Sequence, residues 1–334
     1  MQDLRFDGLL QWLNKQFDTD NINIEALDGD AGFRRYFRIH VNEESYIAVD
    51  APPDTCNNAS FIDIAQRMRT VGVKTPQIHH VDQDNGWFCL EDFGNELLIR
   101  SLNEASLASV YQDAFEPLLS FSRINTQQLP DFDEAFIVRE LDIFSEWLLD
   151  KHLGISLSEQ QNDAWQQCQS LLVQSALAQP QQFMHRDYHS RNIMRCADGS
   201  LGIIDFQDAV LGPITYDIVS LLKDCYVKWP REKVLDLFLC YLAQLDSKLV
   251  EKYDEKQWIK WFDLMGMQRH LKASGIFARL HHRDNKSHYL KDIPLTLSYI
   301  VETANLYSEF SFLSELISTD VLPKLNNKRV ECND

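Results

Sequence analysis

The chain has 334 residues and a formal net charge of −18, from 32 basic and 50 acidic side chains, with 45% hydrophobic and 25% charged residues. That length can bury a sizeable core or two lobes, and the acidic balance argues against nucleic acid or an anionic membrane surface as a partner. The seven cysteines are odd in number and show no C-x-x-C spacing, which gives no support to a disulfide framework or a zinc ribbon and favours reduced thiols in a cytoplasm.

Leu4, Leu9, Leu10, Leu13 and Phe17 recur at helical spacing, so the chain is expected to open on a helix. Met1–Asp7 carries acids and no basic region ahead of an apolar run, and no apolar stretch reaches membrane-span length. A cytoplasmic protein is therefore expected. Three short β-rich runs follow, Ile22–Leu27, Tyr36–Val41 and Tyr46–Val49, separated by turn residues. Phe61, Ile64, Ala65 and Met68 make a helical stripe that ends before Gly72. Two further strands, Gln77–Val81 and Trp87–Leu90, flank the turn Asp82–Gly86. Three strands, a helix and two strands are the layout of a small antiparallel nucleotide-binding lobe.

After Glu91-Asp92-Phe93-Gly94-Asn95 the pattern turns helical, with helices expected at 103–124, 139–152, 158–178, 215–226, 231–245, 255–282 and 292–317. The composition shift places a boundary at residue 93, with a nucleotide-binding lobe at 1–93 and a catalytic, substrate-binding lobe at 94–334. In the hinge, the backbone of Glu91 and Phe93 is expected to meet the adenine edge of a nucleotide.

The segment His185-Arg186-Asp187-Tyr188-His189-Ser190-Arg191-Asn192, followed by Ile204-Asp205-Phe206, carries the chemistry. Phosphoryl transfer needs a carboxylate to orient the attacking hydroxyl and further oxygen ligands to hold magnesium against the triphosphate. The H-R-D-x-x-x-x-N pattern offers Asp187 for the first task; Asn192 and Asp205 suit the second. His185 and His189 are four apart, but Arg186 stands where a helical zinc site wants Glu. His185 reads as a brace beneath the loop, and His189 as a brace or a substrate contact.

Gly29 and Gly32 allow a β-turn to approach a triphosphate, and Arg34 and Arg35 add phosphate-gripping guanidinium groups. The third strand of a kinase lobe usually carries a phosphate-binding Lys paired with a helix Glu. Here that strand reads Y-I-A-V-D-A, with Asp50 near the expected place, and the helix offers Asp63. Either the loop arginines replace the lysine or the protein is a nucleotide-binding pseudokinase. Because Asp187, Asn192 and Asp205 are all present, activity is expected. Arg269, Lys272 and Arg279 fall on one long helix and are candidates to meet an anionic group of the substrate.

At these residues the chain resembles the aminoglycoside phosphotransferase and choline kinase superfamily. The stretch Asp205–Asp217 lacks an A-P-E element, and His189 stands where protein kinases commonly place Lys. Both features set it apart from protein kinases. The segments Gly29–Arg38, Asp50-Ala51-Pro52-Pro53, Leu264–Lys272 and Gly275–Leu280 are similar to the anomeric amino-sugar kinases of cell-wall recycling. That resemblance spans most of the chain. It implies an α+β, protein-kinase-like fold of two lobes, the first a small antiparallel sheet and the second mainly helical. It also implies ATP and Mg2+ as cofactors, N-acetylmuramate and N-acetylglucosamine as substrates, and a sugar 1-phosphate as product. Asp217 resembles the superfamily's buried acid that accepts amide hydrogen bonds from the catalytic loop. Another small-molecule kinase, acting on an aminoglycoside or choline, is the rival reading.

Overall fold

The computed structural model describes residues 3–27 and 33–331. The chain forms two compact units, one of Met1–Asn125 with Ser190–Ala209, the other of Thr126–His189 with Val210–Asp334. The boundary expected at residue 93 falls inside the first of them.

In the first unit, helix α1 (Leu4–Phe17) starts on Asp3, whose side chain accepts the amide of Phe6 at 3.1 Å. It leads to β1 (Asn23–Leu27), β2 (Arg35–Val41), β3 (Glu44–Asp50), α2 (Asn58–Thr70), β4 (Ile78–Asp82) and β5 (Trp87–Glu91). The five strands make one antiparallel sheet in the order β1-β2-β3-β5-β4. The period of two in β2 sends Phe37, Ile39 and Val41 to one face, where they pack with Leu9 and Leu13 of α1 and with Ala48 and Cys89. Burying each leucine contributes about 1.5–3 kcal/mol. The stripe expected on α2 is buried in full: Phe61, Ile64, Ala65 and Met68. Gly86 is required at its turn, because its φ is 71° and a Cβ there would lie 1.9 Å from the Ala51 carbonyl oxygen. Helix α3 (Leu107–Ser120) belongs to the same unit.

Further along come α4 (Glu134–Ile143), α5 (Glu159–Leu177), β6 (Gln181–Met184), β7 (Ile193–Arg195), β8 (Leu201–Ile203) and β9 (Val210–Pro213). Then follow α6 (Thr215–Leu222), α7 (Arg231–Leu242), α8 (Ser247–Val250), α9 (Glu255–Asp284) and α10 (Ile293–Ala304). The hairpin β7–β8 joins the first unit; β6 pairs with β9 in the second. At about 1.5 Å per residue, α9 is about 45 Å long. It packs against α4, α5, α6 and α10 and is buried on nearly all sides.

Two expected helices differ. The one expected at 139–152 begins at Glu134 and loosens into a π-helix over Phe144–His152. The one expected at 292–317 breaks after Ala304, where Asn305 takes a hydrogen bond from the Ser314 hydroxyl at 2.7 Å. Among the described residues, no helix is long and apolar enough to cross a membrane.

Candidate active site

In the second unit, β6 delivers the chain to His185, and the loop that follows is held by its backbone. Asp217, near the start of α6, accepts the amides of His185 at 2.7 Å and Arg186 at 3.0 Å. The buried His185 ring accepts the amide of Asp187 at 3.3 Å through Nδ1. The amide of His189 reaches the Asp187 carbonyl at 3.0 Å. Arg186 sits at φ 77°, a left-handed conformation that costs a non-glycine residue energy. It holds that turn by donating to Glu140 of α4 at 2.8 Å and lying 4.9 Å over the Phe136 ring. These contacts fix the backbone on both sides of Asp187.

The Asp187 carboxyl is half-buried. Burial pushes its pKa up, but the charges of Lys272, Arg186, His189 and Arg269 outweigh that and hold it down at about 2. It is thus fully ionised at neutral pH and only weakly basic. Asp217 shows the opposite outcome: burial pushes it up to about 7 despite the two amide hydrogen bonds.

Helix α9 supplies the cations. Lys272 bonds Glu140 at 2.7 Å and the Tyr216 hydroxyl at 3.2 Å. Glu140 also accepts from Gln268 at 3.0 Å, so one buried carboxylate gathers Arg186, Lys272 and Gln268. Arg269 differs. It is buried beside the Tyr216 ring at 5.1 Å, and its Nε and Nη1 find no hydrogen-bond partner among the described residues. A buried guanidinium left open in this way is suited to an anion. Arg279 lies ten residues further along α9, about 15 Å away. The helix therefore brings Arg269 and Lys272 to Asp187 and leaves Arg279 remote. His189 packs edge-on against Tyr226 at 5.6 Å, with its Nδ1 buried and without a hydrogen-bond partner among the described residues.

In the first unit, Asn192 and Asp205 flank the hairpin β7–β8, and their side chains meet at 3.3 Å. Gln207 donates to the other Asp205 oxygen at 2.8 Å. The contact between Asn192 and Asp205 is the Asn192 amide N–H donating to Asp205; the Asn192 amide oxygen and the Asp205 carboxylate are hard-oxygen donors of the kind that suit Mg2+. The next residue, Phe206, stacks on Phe61 at 5.0 Å, and Arg34 lies 5.9 Å over Phe61. Burial and the Asp205 charge push the Tyr36 phenol up while Arg34 pulls it down. Arg34 makes no ion pair among the described residues. Gly29 and Gly32 lie outside them.

Arg35 is placed otherwise than the substitute-lysine idea expected. It faces Asp50 across β2 and β3, donating through Nε at 3.0 Å and Nη2 at 2.6 Å, and also pairs with Asp3. Arg5 of α1 takes the second Asp50 oxygen through Nε at 2.9 Å. Asp50, fully buried, thus has both oxygens occupied, and the Arg35 guanidinium is spent on acids. Asp63 pairs with Arg67 one turn along α2, so the helix carries no partner for a strand lysine. In the segment expected to form a hinge, Glu91 and Gln77 exchange hydrogen bonds at 2.8 and 3.1 Å. Phe93 packs with Met194 and Cys196, and Arg38 grips Asp92 and the Gly94 carbonyl. The sequence did not single out Glu140, Gln268, Tyr216 or Arg38. A charged residue inside an apolar helical stripe was the only signal for Glu140.

A protein named N-acetylmuramate/N-acetylglucosamine kinase from Pseudomonas putida is 38% identical over 95% of this chain and 96% of its own length. Its namesake from Neisseria meningitidis serogroup B is 36% identical over 94% of this chain and 96% of its own. Among solved structures, an ethanolamine kinase from Plasmodium vivax superposes with a TM-score of 0.63 at 14% identity, covering 87% of this chain and 86% of that one. An ADP-bound aminoglycoside phosphotransferase gives 0.58 at 14%, covering 89% and 98%. These structures share the protein-kinase-like fold. The family model of the phosphotransferase enzymes matches residues 23–248, a span that takes in the strand arginines and the whole catalytic segment; to that family, the phosphotransferases, this chain belongs.

Proposed function

We propose that the protein transfers the γ-phosphoryl group of ATP to the anomeric hydroxyl of N-acetylmuramate and N-acetylglucosamine, in the cytoplasmic recycling of peptidoglycan. The observation that carries this reading is the likeness to relatives of that name along nearly the whole chain. The loop geometry supplies a matching chemistry. Asp187, held ionised, orients the sugar hydroxyl and accepts its proton as the bond to phosphorus forms. A carboxylate so weakly basic removes a proton poorly from an ordinary alcohol. The anomeric hydroxyl is more acidic, so it asks less of Asp187.

Asn192 and Asp205 would hold Mg2+, which when bound neutralises triphosphate charge. Arg34, which pairs with no acid among the described residues, takes the phosphate-binding task that the strand lysine has in other kinases. The backbone of Glu91, at the end of β5, and of Phe93 just beyond it meets adenine. Arg269 offers its open Nε and Nη1 to an anionic group of the substrate, a phosphate oxygen or the lactyl carboxylate of N-acetylmuramate. Lys272 keeps Glu140 neutralised and leaves Arg269 open, and His189 borders the sugar.

A panel of sugars, aminoglycosides and choline, read by ADP release, tests this. Turnover with both N-acetylated amino sugars and with neither of the other classes is expected. Turnover confined to aminoglycosides or choline would overturn the reading.

A further inference from the structure

The C-terminal end of α9 carries a cluster that the phosphotransfer chemistry does not use. His281 and His282 stand in its last turn, and His152 ends the π-helix that packs beside it. The ring nitrogens these three residues offer all lie within 4.8 Å of one another. His152 Nδ1 and His282 Nε2 are 3.1 Å apart. Two imidazole nitrogens at that distance share either one proton or one cation. The edge of a tetrahedral zinc site, with Zn–N bonds of about 2.0–2.1 Å, is about 3.3 Å. The His152–His282 pair is thus already at a metal-site spacing, and the His281 nitrogen lies within 4.8 Å of both.

Three further features favour a cation here. The last turn of a helix carries partial negative charge from its free carbonyls. The nearby Arg283 is neutralised by Asp284 at 3.0 Å. His281 Nδ1 is hydrogen-bonded to the Ser287 hydroxyl at 2.9 Å, the kind of outer contact that fixes a ligand imidazole. The scaffold is also built closely: a Cβ on Gly275 of α9 would lie 2.3 Å from the Ile143 carbonyl oxygen where the π-helix begins. Single π-helical segments often mark functional places in helices.

We propose that His152, His281 and His282 bind one divalent late first-row transition-metal ion, with Zn2+ as the preferred ion. Three neutral imidazoles with a position left for water suit zinc, nickel, copper and cobalt, and do not suit Mg2+. The ion ties the end of α9 to the π-helix. His281 is twelve residues from Arg269, about 18 Å along the helix, so the site works apart from the α9 residues near Asp187.

The test is a cobalt titration of the chelator-treated full-length protein, followed by visible absorption and by competition with Zn2+. The expected result is one equivalent of tightly bound cobalt with a tetrahedral or five-coordinate spectrum, displaced by zinc, and a zinc-dependent rise in melting temperature. His152→Gln and His282→Asn each remove both signals while turnover with Mg·ATP stays as in the wild type. His282 is exposed, so that variant reports even if His152→Gln folds poorly. Saturable cobalt binding that survives unchanged in His282→Asn, or a wild-type protein that binds no cobalt stoichiometrically, overturns the proposal.

Discussion

Asp50 and Asp187 are two aspartates among cations, and they have opposite fates. Asp50 is fully buried, and Arg5 and Arg35 occupy both of its oxygens. Asp187 is half-buried, in the field of Lys272, Arg186 and Arg269, while Glu140 takes the direct ion pairs of the first two. A closed set of partners makes a carboxylate structural. One held ionised by cations whose direct ion pairs go to another acid stays charged within the loop. A like contrast separates Arg35, which pairs with Asp50 and Asp3, from Arg34 just before β2, and Lys272 from Arg269 on α9.

The sharpest way to break the comparison is Asp187→Asn. It should lower kcat by about 10²–10⁴-fold, the usual worth of a positioned base, with nucleotide affinity within a few-fold. Near-wild-type turnover on the true substrate would remove Asp187 from the reaction. Asp205→Asn should act on nucleotide instead, raising the KM for Mg·ATP about ten- to a hundredfold, the worth of one contact to a charged group. Raised Mg2+ should restore part of the loss; a pure kcat effect would mean that Asp205 is not a metal ligand.

Asp50→Ala tests the closed partner. Breaking a buried ion pair costs about 3–5 kcal/mol, and since Arg5 and Arg35 are each partly exposed and can rehydrate, about 2–3 kcal/mol is expected here. Urea unfolding should record that loss while the kcat of the folded protein stays unchanged. A collapse of kcat without loss of stability would make Asp50 functional. The two arginines should divide likewise. Arg34→Ala raises the KM for ATP about tenfold, the low end for a charge-assisted contact. Arg35→Ala lowers the melting temperature and moves the KM less. Equal KM effects would erase the distinction drawn from the structure.

The smallest effect is a change of slope with pH. Asp217, raised to about 7, binds a proton more readily folded than unfolded, so its contribution is full below the ordinary aspartate pKa and is lost as pH rises through about 7. Asp187, lowered to about 2, contributes above the ordinary pKa, and that contribution is lost as pH falls through about 2. Removing the Asp217 titration with Asp217→Asn should flatten the fall of melting temperature between pH 5 and 7.5; a slope unchanged from wild type would place its pKa elsewhere.

Much of this was legible in the sequence, because it rests on local pattern. The β-rich runs between turn residues placed all five strands of the sheet, and the stripe at Phe61, Ile64, Ala65 and Met68 was buried as expected. The spacing of His185, Asp187, Asn192 and Asp205 marked the loop after β6 and the β7–β8 hairpin as the candidate catalytic segment. What escaped depends on long-range partners. The choice between Arg34 and Arg35 turns on strand register, which sets Arg35 opposite Asp50. Glu140 became the partner of Arg186 only once α4 had packed beside the loop. The π-helix over Phe144–His152 has no period of its own in a sequence whose apolar spacing fits an ordinary helix. The proposed substrate comes from the likeness to relatives, since no spacing encodes it.

The most direct test of the central claim is the position of the phosphate on the product. The protein should be run with ATP, Mg2+ and each N-acetylated amino sugar, and the product examined by phosphorus–proton coupling and by mild acid. Coupling of phosphorus to the single anomeric proton, with phosphate released by dilute acid, is the predicted result. An acid-stable ester whose phosphorus couples to the two protons of a primary carbon would contradict it.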